Sequence, residues 1–217
     1  MVVKTKIKDP DLIQKRQKQI CRGAMRVFRH KGFHSASIRE IAKASRISLG
    51  SLYDYIEKKE DILFLVHSDI LDRIYECLNM CMDAYESPID QLTHALQELL
   101  NLSCEMKDEM LFIYTETKSL ESKYLHEILK REAEFTDSFE KLIQRGVDEG
   151  VFDCPKPRLV SNIIILVGAI MPLRGWNILP YHSSEEIVEE LIHITLKALN
   201  VRGESVPGSK SRVVAAT

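Results

Sequence analysis

The chain has 217 residues, of which 45% are hydrophobic and 29% charged, with only 7 Pro and 9 Gly. This composition is typical of a helix-rich globular protein and excludes a fibrous or largely disordered one. No run reaches the roughly 18 consecutive apolar residues that a membrane helix needs. The basic N-terminal residues are not followed by the apolar core of a secretory signal. We therefore expect a cytoplasmic protein without membrane contact.

Charge is distributed unevenly along the chain. Residues 1–60 contain 15 Lys and Arg against 6 Asp and Glu, a net charge of +9, while the remainder contains 15 against 26 and carries −11. A basic segment attached to an acidic body is typical of a nucleic-acid-binding protein whose body has a second function. We therefore predict a first domain at 1–58, a second at 59–202, and a disordered tail at 203–217, which is rich in Gly, Ser, Pro and Lys.

Helical periodicity dominates the sequence and alternating strand patterns are nearly absent, so we predict an all-α fold. The first helix carries an apolar stripe and ends at Gly32, which is a typical helix stop. Ser87 followed by Pro88 marks a later helix start. About nine helices are predicted, at 11–31, 38–44, 48–55, from 59 past 80, and at 89–106, 108–117, 121–149, 156–178 and 184–200.

Two short helices in the basic segment have recognisable starts. Ser37 and Glu40 form a capping box, and Ser48 can cap the next helix after a three-residue turn. Two short helices joined by a tight turn have the geometry of a helix-turn-helix, whose second helix enters the major groove of DNA. The basic segment is therefore predicted to be a three-helix DNA-binding unit.

At this point the sequence resembles the TetR family of transcriptional regulators. The likeness rests on Ala24, Phe28, Gly32-Phe33, Ser37-Ile38, Ile41-Ala42, Ala44, Ile47-Ser48, Gly50, Leu52-Tyr53, Tyr55, Lys59-Glu60 and Leu63. Two positions depart from the family pattern: Ile56, where Phe is commoner, and Ser45, where Gly is commoner. The resemblance implies a homodimeric repressor with an N-terminal helix-turn-helix and a larger helical bundle for ligand binding and dimerisation. It also implies a pseudo-palindromic DNA operator and release by a small-molecule inducer.

The resemblance further implies which residues contact double-stranded DNA. They are Ser37, Arg39, Arg46, Ser48, Leu49, Gly50, Ser51, Tyr53, Tyr55 and Lys59. We expect Tyr53 and Tyr55 on the exposed side, within reach of a phosphate or a thymine methyl. Because the first turn of the recognition helix has no Arg, Asn or Gln for bidentate base pairing, phosphate contacts and DNA shape should supply much of the affinity. Lys4, Lys6 and Lys8 form either a flexible arm along a DNA groove or a solubilising tail.

In the second domain, methionine and aromatic residues suggest an adaptable apolar cavity. We expect the ligand to contact Met106, Met110, Phe112, Tyr114, Phe139, Met171, Arg174 and Trp176, with Arg174 as the polar anchor. The run from Met171 to Ile187 is similar to the corresponding segment of TetR-type regulators that sense acyl-CoA thioesters. This similarity implies an acyl-CoA or fatty-acid-like inducer.

The last two predicted helices carry apolar stripes that are candidates for the dimer interface. Paired with their two-fold mates, they would form a four-helix bundle, as the family resemblance also implies. The alternative is that the stripes face the protein's own core. The stripes consist of Ile163, Leu166, Ile170, Ile187, Leu191, Ile194 and Ala198.

No enzymatic motif is visible. The sequence has no Gly-rich phosphate loop, no His-Glu-x-x-His and no nucleophile elbow, and its seven His are scattered, so we predict no enzymatic activity, no metal site and no cofactor. Cys77 and Cys81, one helical turn apart, leave a metal or redox pair as a minor alternative to simple packing. A helical adaptor or small-molecule-binding protein without operator binding is the other class of function, but it leaves the basic segment unexplained.

Overall fold

The computed structural model describes residues 3–201, apart from the side chains of Met82 and Asp83. All regular structure in this range is helical, which confirms the predicted all-α class. The predicted tail at 203–217 lies outside the described residues. The α-helices are α1 (Pro10–Ser35), α2 (Ile38–Ala44), α3 (Leu49–Leu52), α4 (Lys59–Ala84), α5 (Pro88–Glu105), α6 (Lys107–Glu116), α7 (Ser122–Asp148), α8 (Pro157–Gly168), α9 (Ile170–Ile178) and α10 (Ser184–Ala198), and a 3-10 turn (Thr117–Ser119) precedes α7.

The segment predicted as one helix at 156–178 is two helices, α8 and α9, which meet at 53°. Pro172 explains the break. It has no N–H to donate to the carbonyl of Gly168, four residues earlier, and its ring crowds that carbonyl. Within residues 3–201 no single helix is long and apolar enough to cross a membrane, and α8 and α9 satisfy the length and composition only as this bent pair.

The first three helices pack closely because α1 carries a glycine where α2 ends. A Cβ atom added to Gly23 would lie 2.0 Å from the Ser45 hydroxyl and 2.7 Å from the Ser45 backbone nitrogen. Any side chain at residue 23 would therefore separate α1 from the turn after α2. The predicted stop at Gly32 is also present, since this residue has a φ of 73° and interrupts α1 before its last turn.

The helix-turn-helix unit shares a continuous hydrophobic core with the body. The ring of Phe28 on α1 stacks on that of Phe112 on α6, with centroids 5.1 Å apart. On α4, Phe64 stacks on Tyr124 of α7 with centroids 4.4 Å apart. The α6–α7 region is therefore in direct contact with the elements that carry α2 and α3.

In the body, α5 is the central helix. It packs against α4, α7, α8, α9 and α10, and its buried face consists largely of leucines. The long helix α7 packs on α8 and on α4. This arrangement leaves an open groove between α4, α5 and α7, and it leaves the outer faces of α8 and α10 to solvent.

Candidate functional site

The second helix, α2, begins with the predicted capping box. The Glu40 N–H donates to the Ser37 hydroxyl over 3.2 Å, and the Ser37 N–H donates to the Glu40 carboxylate over 3.0 Å. Lys31 on α1 bonds to the same carboxylate and, with these bonds, lowers the pKa of Glu40 to about 2. The start of α2 is therefore fixed to α1 by charge as well as by packing.

The recognition helix, α3, is shorter than predicted. Its start is as expected, because the Ser51 N–H donates to the Ser48 hydroxyl over 3.0 Å. It ends at Leu52, whose side chain is fully buried, and residues 53–55 form turns instead of a last helical turn. One capped helical turn is thus presented to solvent.

The turn between α2 and α3 contains a strained residue. Arg46 has a φ of 55°, the left-handed region that costs a residue with a Cβ atom roughly 1 kcal/mol and a glycine almost nothing. The Ile47 N–H donates to the Ala42 carbonyl over 3.1 Å and closes the turn. The turn therefore brings an exposed guanidinium to within two residues of the α3 cap.

The residues predicted to contact DNA differ in how far their side chains are exposed to solvent. Ser37, Arg39, Arg46, Ser48, Gly50 and Tyr53 are exposed, and Leu49, Ser51 and Lys59 are partly exposed. Tyr55 is only 4% exposed, so the expectation that it lies on the exposed side is wrong. The chain turns after Leu52 and directs Tyr55, together with Ile56, into the core.

Lys59, at the start of α4, makes contacts within the protein. Its ammonium donates to the backbone carbonyls of Phe33, His34 and Ala36 over 3.0, 3.0 and 3.1 Å. It also lies 4.6 Å from the centre of the Phe33 ring. These bonds use its three hydrogens, so in this structure Lys59 ties the segment before α2 to α4.

The N-terminal segment is folded back on the protein. The Lys6 N–H donates to the Asp54 carbonyl over 2.9 Å, and the Thr5 hydroxyl donates to the same oxygen over 2.9 Å. Val3 is buried, whereas the ammonium groups of Lys4 and Lys6 remain in solvent. Residues 3–6 therefore lie beside the turn that follows α3, which fits neither a free arm nor a free tail.

Ion pairs connect the basic unit with the acidic body. Arg29 on α1 pairs with Asp108 and, over 3.7 Å, with Glu109, both on α6. Lys58, before α4, pairs with Glu121, before α7, and this bond raises the pKa of Lys58. Part of the basic charge near α2 and α3 is thus neutralised within the protein.

Of the residues predicted to bind ligand, all except Phe139 lie on α6, on α9 or in the turn before α6, and these two helices pack against each other. Met106, Met110, Phe112, Phe139 and Met171 are buried, Tyr114 is 44% exposed, and Arg174 and Trp176 lie at the surface. Phe112 packs on Phe28 of α1. The Arg174 guanidinium lies over the Trp176 ring at 5.4 Å. Sequence spacing placed these residues on helices correctly except for Met106, which lies in the turn between α5 and α6, but it did not show which helix faces pack together.

A groove of about 360 Å³ with an apolar wall lies in the body between α4, α5 and α7. Of the predicted ligand residues, only Phe139 lines it. The other lining residues are Tyr75, Leu78, Asn79, Gln91, Phe135, Ser138, Lys141, Leu142 and Arg145. Phe135, Phe139 and Leu142 repeat at helical spacing on α7 and form an apolar wall, while Lys141 and Arg145 add positive charge at the rim. The apolar periodicity of α7 was the sequence feature from which these lining residues could have been predicted.

The outer faces of α8 and α10 are apolar and partly uncovered. On α8, Ile163 and Leu166 are half or more exposed, and Leu159 one turn earlier is similarly exposed. On α10, Ile194 is half exposed, whereas Ile187 is buried in the protomer. The seven residues of the predicted stripes therefore divide. Ile187 faces the protein's own core, and Ile170 and Leu191 are partly buried. The exposed ones are Ile163, Leu166, Ile194 and Ala198.

The cysteines have the environment of packing residues. Cys77 lies with its sulfur 3.9 Å from the Glu98 carboxylate, and burial, the main cause, raises its pKa to about 11. A thiol with such a pKa is protonated and unreactive near neutrality. Between residues 3 and 201 no group of three or more His, Cys, Asp or Glu is placed to hold a metal ion.

Two family models match this chain. Residues 20–66 match the model described as "Bacterial regulatory proteins, tetR family", and residues 85–176 match "Tetracyclin repressor-like, C-terminal domain". The first covers the helix-turn-helix, and the second covers α5 to α8 and most of α9.

Known proteins similar to this chain agree with those matches. The HTH-type transcriptional regulator HbdR of Aromatoleum sp. (strain CIB) is 27% identical over 98% of this chain and 95% of its own length. A crystal structure of a TetR-family regulatory protein from Rhodococcus RHA1 superposes with a TM-score of 0.77, at 18% identity, over 87% of this chain and 99% of that one. AibR, in complex with isovaleryl coenzyme A and operator DNA, superposes with a TM-score of 0.70, at 21% identity, over 82% of this chain and 97% of its own. The chain belongs to the TetR family of DNA-binding transcriptional regulators.

Proposed function

We propose that this regulator is a dimeric repressor that binds a pseudo-palindromic operator through α3 and is released by a hydrophobic, acyl-CoA-like ligand. The observation that carries the proposal is the capped, solvent-facing turn of α3 within a segment whose net charge is +9. A short helix that follows a second helix and a tight turn fits the major groove. The length over which HbdR matches this chain supports the same function.

The exposed residues of the helix-turn-helix are assigned to DNA. Ser37, Arg39, Arg46 and Tyr53 face phosphates, and Ser48, Leu49, Gly50 and Ser51 face base edges. Lys59 holds the segment before α2 in position through its carbonyl contacts, and Tyr55 supports α3 from the core. Because α3 has no side chain for bidentate base pairing, affinity rests mainly on phosphates and falls steeply with salt.

Dimerisation is assigned to α8 and α10. A single short recognition helix buries too little surface for specific binding, so two copies must read two half-sites. Leu159, Ile163, Leu166 and Ile194 are apolar residues at the surface of one protomer. Against a two-fold mate they would form the predicted four-helix bundle.

The ligand is assigned to the groove between α4, α5 and α7. Its volume of about 360 Å³ is within the usual range of ligand pockets. Phe135, Phe139 and Leu142 suit an acyl chain, whereas Lys141 and Arg145 at the rim suit the phosphates of coenzyme A. The Arg145 guanidinium is held at this rim by Gln91, by the Glu86 carbonyl over 3.2 Å and by Glu149 over 3.5 Å. The isovaleryl coenzyme A complex of AibR supports this class of ligand.

The test is a titration of the purified full chain against DNA from its own upstream region, at two salt concentrations, with and without a long-chain acyl-CoA. We expect tight, salt-sensitive binding that acyl-CoA releases. Arg46→Ala should lower the salt slope by about one unit, while Lys130→Ala, on the exposed face of α7, should leave the slope unchanged. Binding that acyl-CoA leaves untouched would reject the ligand class. Failure of a wider DNA selection would reject the repressor in favour of a helical adaptor.

A further inference from the structure

We propose that residues 3–8, here called the basic strap, are a fixed part of the DNA-binding surface, and that Lys4, Lys6 and Lys8 bind backbone phosphates beside the bases that α3 contacts. The inference rests on the DNA binding proposed for α3. It goes beyond that proposal because it adds a second element, outside the helix-turn-helix, that contacts DNA.

Exposure to solvent alternates along the basic strap. Val3 is buried, and Thr5 and Ile7 are partly buried, whereas the lysines that alternate with them are exposed. Val3 belongs to the hydrophobic core, and Ile7 packs against it. The strap is therefore packed on the protein through its apolar side chains and Thr5, and the side chains that it leaves in solvent are all lysines.

Hydrogen bonds fix the basic strap beside the end of the recognition helix. The backbone carbonyl of Asp54 accepts from the Thr5 hydroxyl and from the Lys6 N–H, each over 2.9 Å. After the strap, the Asp9 carboxylate caps the first turn of α1. Because the strap is already ordered in the free protein, little backbone entropy is lost when its lysines bind a phosphate.

This location puts the basic strap at the edge of the groove that α3 would enter. A recognition helix lies in the major groove, which is about 12 Å wide and is bounded by the phosphate backbones. The four residues of α3 span only about 6 Å, so the chain after Leu52 leaves the groove toward one of these backbones. Asp54, which holds the strap, lies two residues after Leu52. The three lysines span at most about 14 Å of chain, which is enough for several phosphates of one strand.

The basic strap also neutralises negative charge next to α3. Asp54 and Glu57 follow α3 in the chain, and their carboxylates would repel phosphates. The Lys6 ammonium lies 3.8 Å from the Asp54 carboxylate, and the Lys4 ammonium lies 3.8 Å from that of Glu57. Exposed pairs of this kind contribute little to stability. The lysines can therefore turn from these carboxylates to phosphates with little loss.

The test replaces each lysine of the basic strap in the full chain by glutamine, which removes the charge and keeps a long polar side chain. Binding is measured by fluorescence anisotropy over a range of salt concentrations, with a duplex from the upstream region and with a duplex of scrambled sequence. We expect Lys4→Gln, Lys6→Gln and Lys8→Gln each to lower the salt slope by about one unit and the affinity about fivefold near physiological salt. Since phosphates carry no sequence information, the factor should be the same for both duplexes.

The matched control for these substitutions is Lys130→Gln on α7. Lys130 is also exposed, and its ammonium also lies 3.8 Å from a carboxylate, that of Glu134. It removes the same charge from the body of the protein, so it should change neither the salt slope nor the affinity for DNA.

Thr5→Val distinguishes a fixed strap from a free arm. The substitution keeps the shape of the side chain and all three lysines, and it removes the hydroxyl that donates to the Asp54 carbonyl. A strap loosened in this way must be ordered again when DNA binds. We therefore expect about two- to tenfold weaker binding to both duplexes, with an unchanged salt slope.

The proposal is overturned if a variant with all three lysines replaced keeps the wild-type affinity and salt slope, which is the behaviour of a solubilising segment. Wild-type affinity of Thr5→Val, with a wild-type circular dichroism spectrum, would also overturn it, because a free arm behaves in that way. Wild-type protein that binds neither duplex at low salt rejects both this inference and the repressor. Equal wild-type affinity for the two duplexes rejects only operator recognition in that upstream region, and the lysine variants still decide the role of the strap.

Discussion

The hydroxyl of Tyr124 on α7 donates a hydrogen bond of 2.5 Å to the buried carboxylate of Asp61 in the first turn of α4. The same carboxylate accepts from the backbone N–H groups of Glu57 and Lys58 over 2.8 and 3.0 Å. Asp61 thus connects the residues just before α4, the first turn of α4 and the first turn of α7. Because the chain enters α4 directly after the helix-turn-helix unit, this bond helps to set the orientation of α3 on the body.

Tyr124→Phe tests the contribution of this bond. The substitution keeps the ring that stacks on Phe64 and removes only the donor, so Asp61 retains a buried oxygen without its partner. We expect the free energy of unfolding to fall by about 1–3 kcal/mol, measured by urea denaturation. Tyr181→Phe, at a position that is 78% exposed, is the control and should change it by less than about 0.5 kcal/mol. Equal stability of the two variants would show that the Tyr124 bond contributes nothing.

Two glycine substitutions distinguish a position that the fold of the DNA-binding unit requires from a position that only its DNA-contacting surface requires. Gly23→Ala places a Cβ atom against the backbone of Ser45, so α1 must move away from the end of α2. Although alanine favours helix, by about 1 kcal/mol, we expect this variant to be less stable overall and to lose DNA binding. Gly50→Ala meets no atom closer than 4.0 Å and should retain its stability.

For Gly50→Ala, the proposal that the α3 backbone approaches the bases predicts weaker DNA binding in a stably folded protein. Both variants are measured by urea denaturation and by fluorescence anisotropy with operator DNA. A stable Gly23→Ala protein with wild-type affinity would contradict the close approach of α1 and the turn after α2.

Local signals in the sequence predicted local structure well. The Ser37–Glu40 box and the Ser48 cap act within three residues, so the sequence contains all that determines them. The break between α8 and α9 was missed, although Pro172 is visible, because its effect falls four residues earlier. The burial of Tyr55 was missed because it depends on where the chain turns after α3.

Residues of the groove were harder to predict because their roles depend on contacts between distant helices. Phe139 lies on α7 and Met106 lies in the turn between α5 and α6, and both are apolar residues whose local sequence does not show what they contact. In the structure Met106 is packed in the core, while Phe139 lines the groove because α7 turns that face toward α4 and α5. Which helix faces pack together cannot be deduced from a single sequence.

His67 predicts a specific dependence of stability on pH. It lies on α4, is 1% exposed, and its Nε2 atom has no hydrogen-bond partner among the described residues. Burial lowers its pKa from the usual 6.5 to about 4. Above pH 6.5 the ring is neutral in both folded and unfolded states; as the pH falls from 6.5 towards 4, only the unfolded state gains the proton, and stability is lost.

The expected loss is up to about 3 kcal/mol across that window. Urea denaturation at pH 7.5 and pH 5 should detect about 2 kcal/mol of this loss, and His67→Phe should abolish most of the difference. His126→Gln, at an exposed position on α7, serves as the control and should keep the wild-type pH dependence. A His67→Phe protein with an unchanged slope would assign the effect to other groups.

Leu166→Glu tests the proposed dimer face. Leu166 is 63% exposed on α8, so a glutamate there costs little in a single protomer but would be buried in the four-helix bundle, where an unpaired charge is strongly unfavourable. We expect a monomer by sedimentation velocity, a wild-type circular dichroism spectrum and loss of operator binding. Leu129→Glu, at a half-exposed position on α7, should remain dimeric. A dimeric Leu166→Glu protein would place the interface elsewhere.

Lys141→Gln tests whether the groove between α4, α5 and α7 binds an anionic ligand. Lys141 is exposed at the rim of the groove, and its ammonium can approach the phosphates of coenzyme A without being buried. A solvent-exposed attraction of this kind contributes little, so we expect acyl-CoA affinity to fall by only about two- to fivefold, with a weaker salt dependence. Lys130→Gln, on the same helix but outside the groove, should leave acyl-CoA binding unchanged. If both variants weaken binding equally, the effect reflects the net charge of α7, and the ligand must be sought in another part of the body.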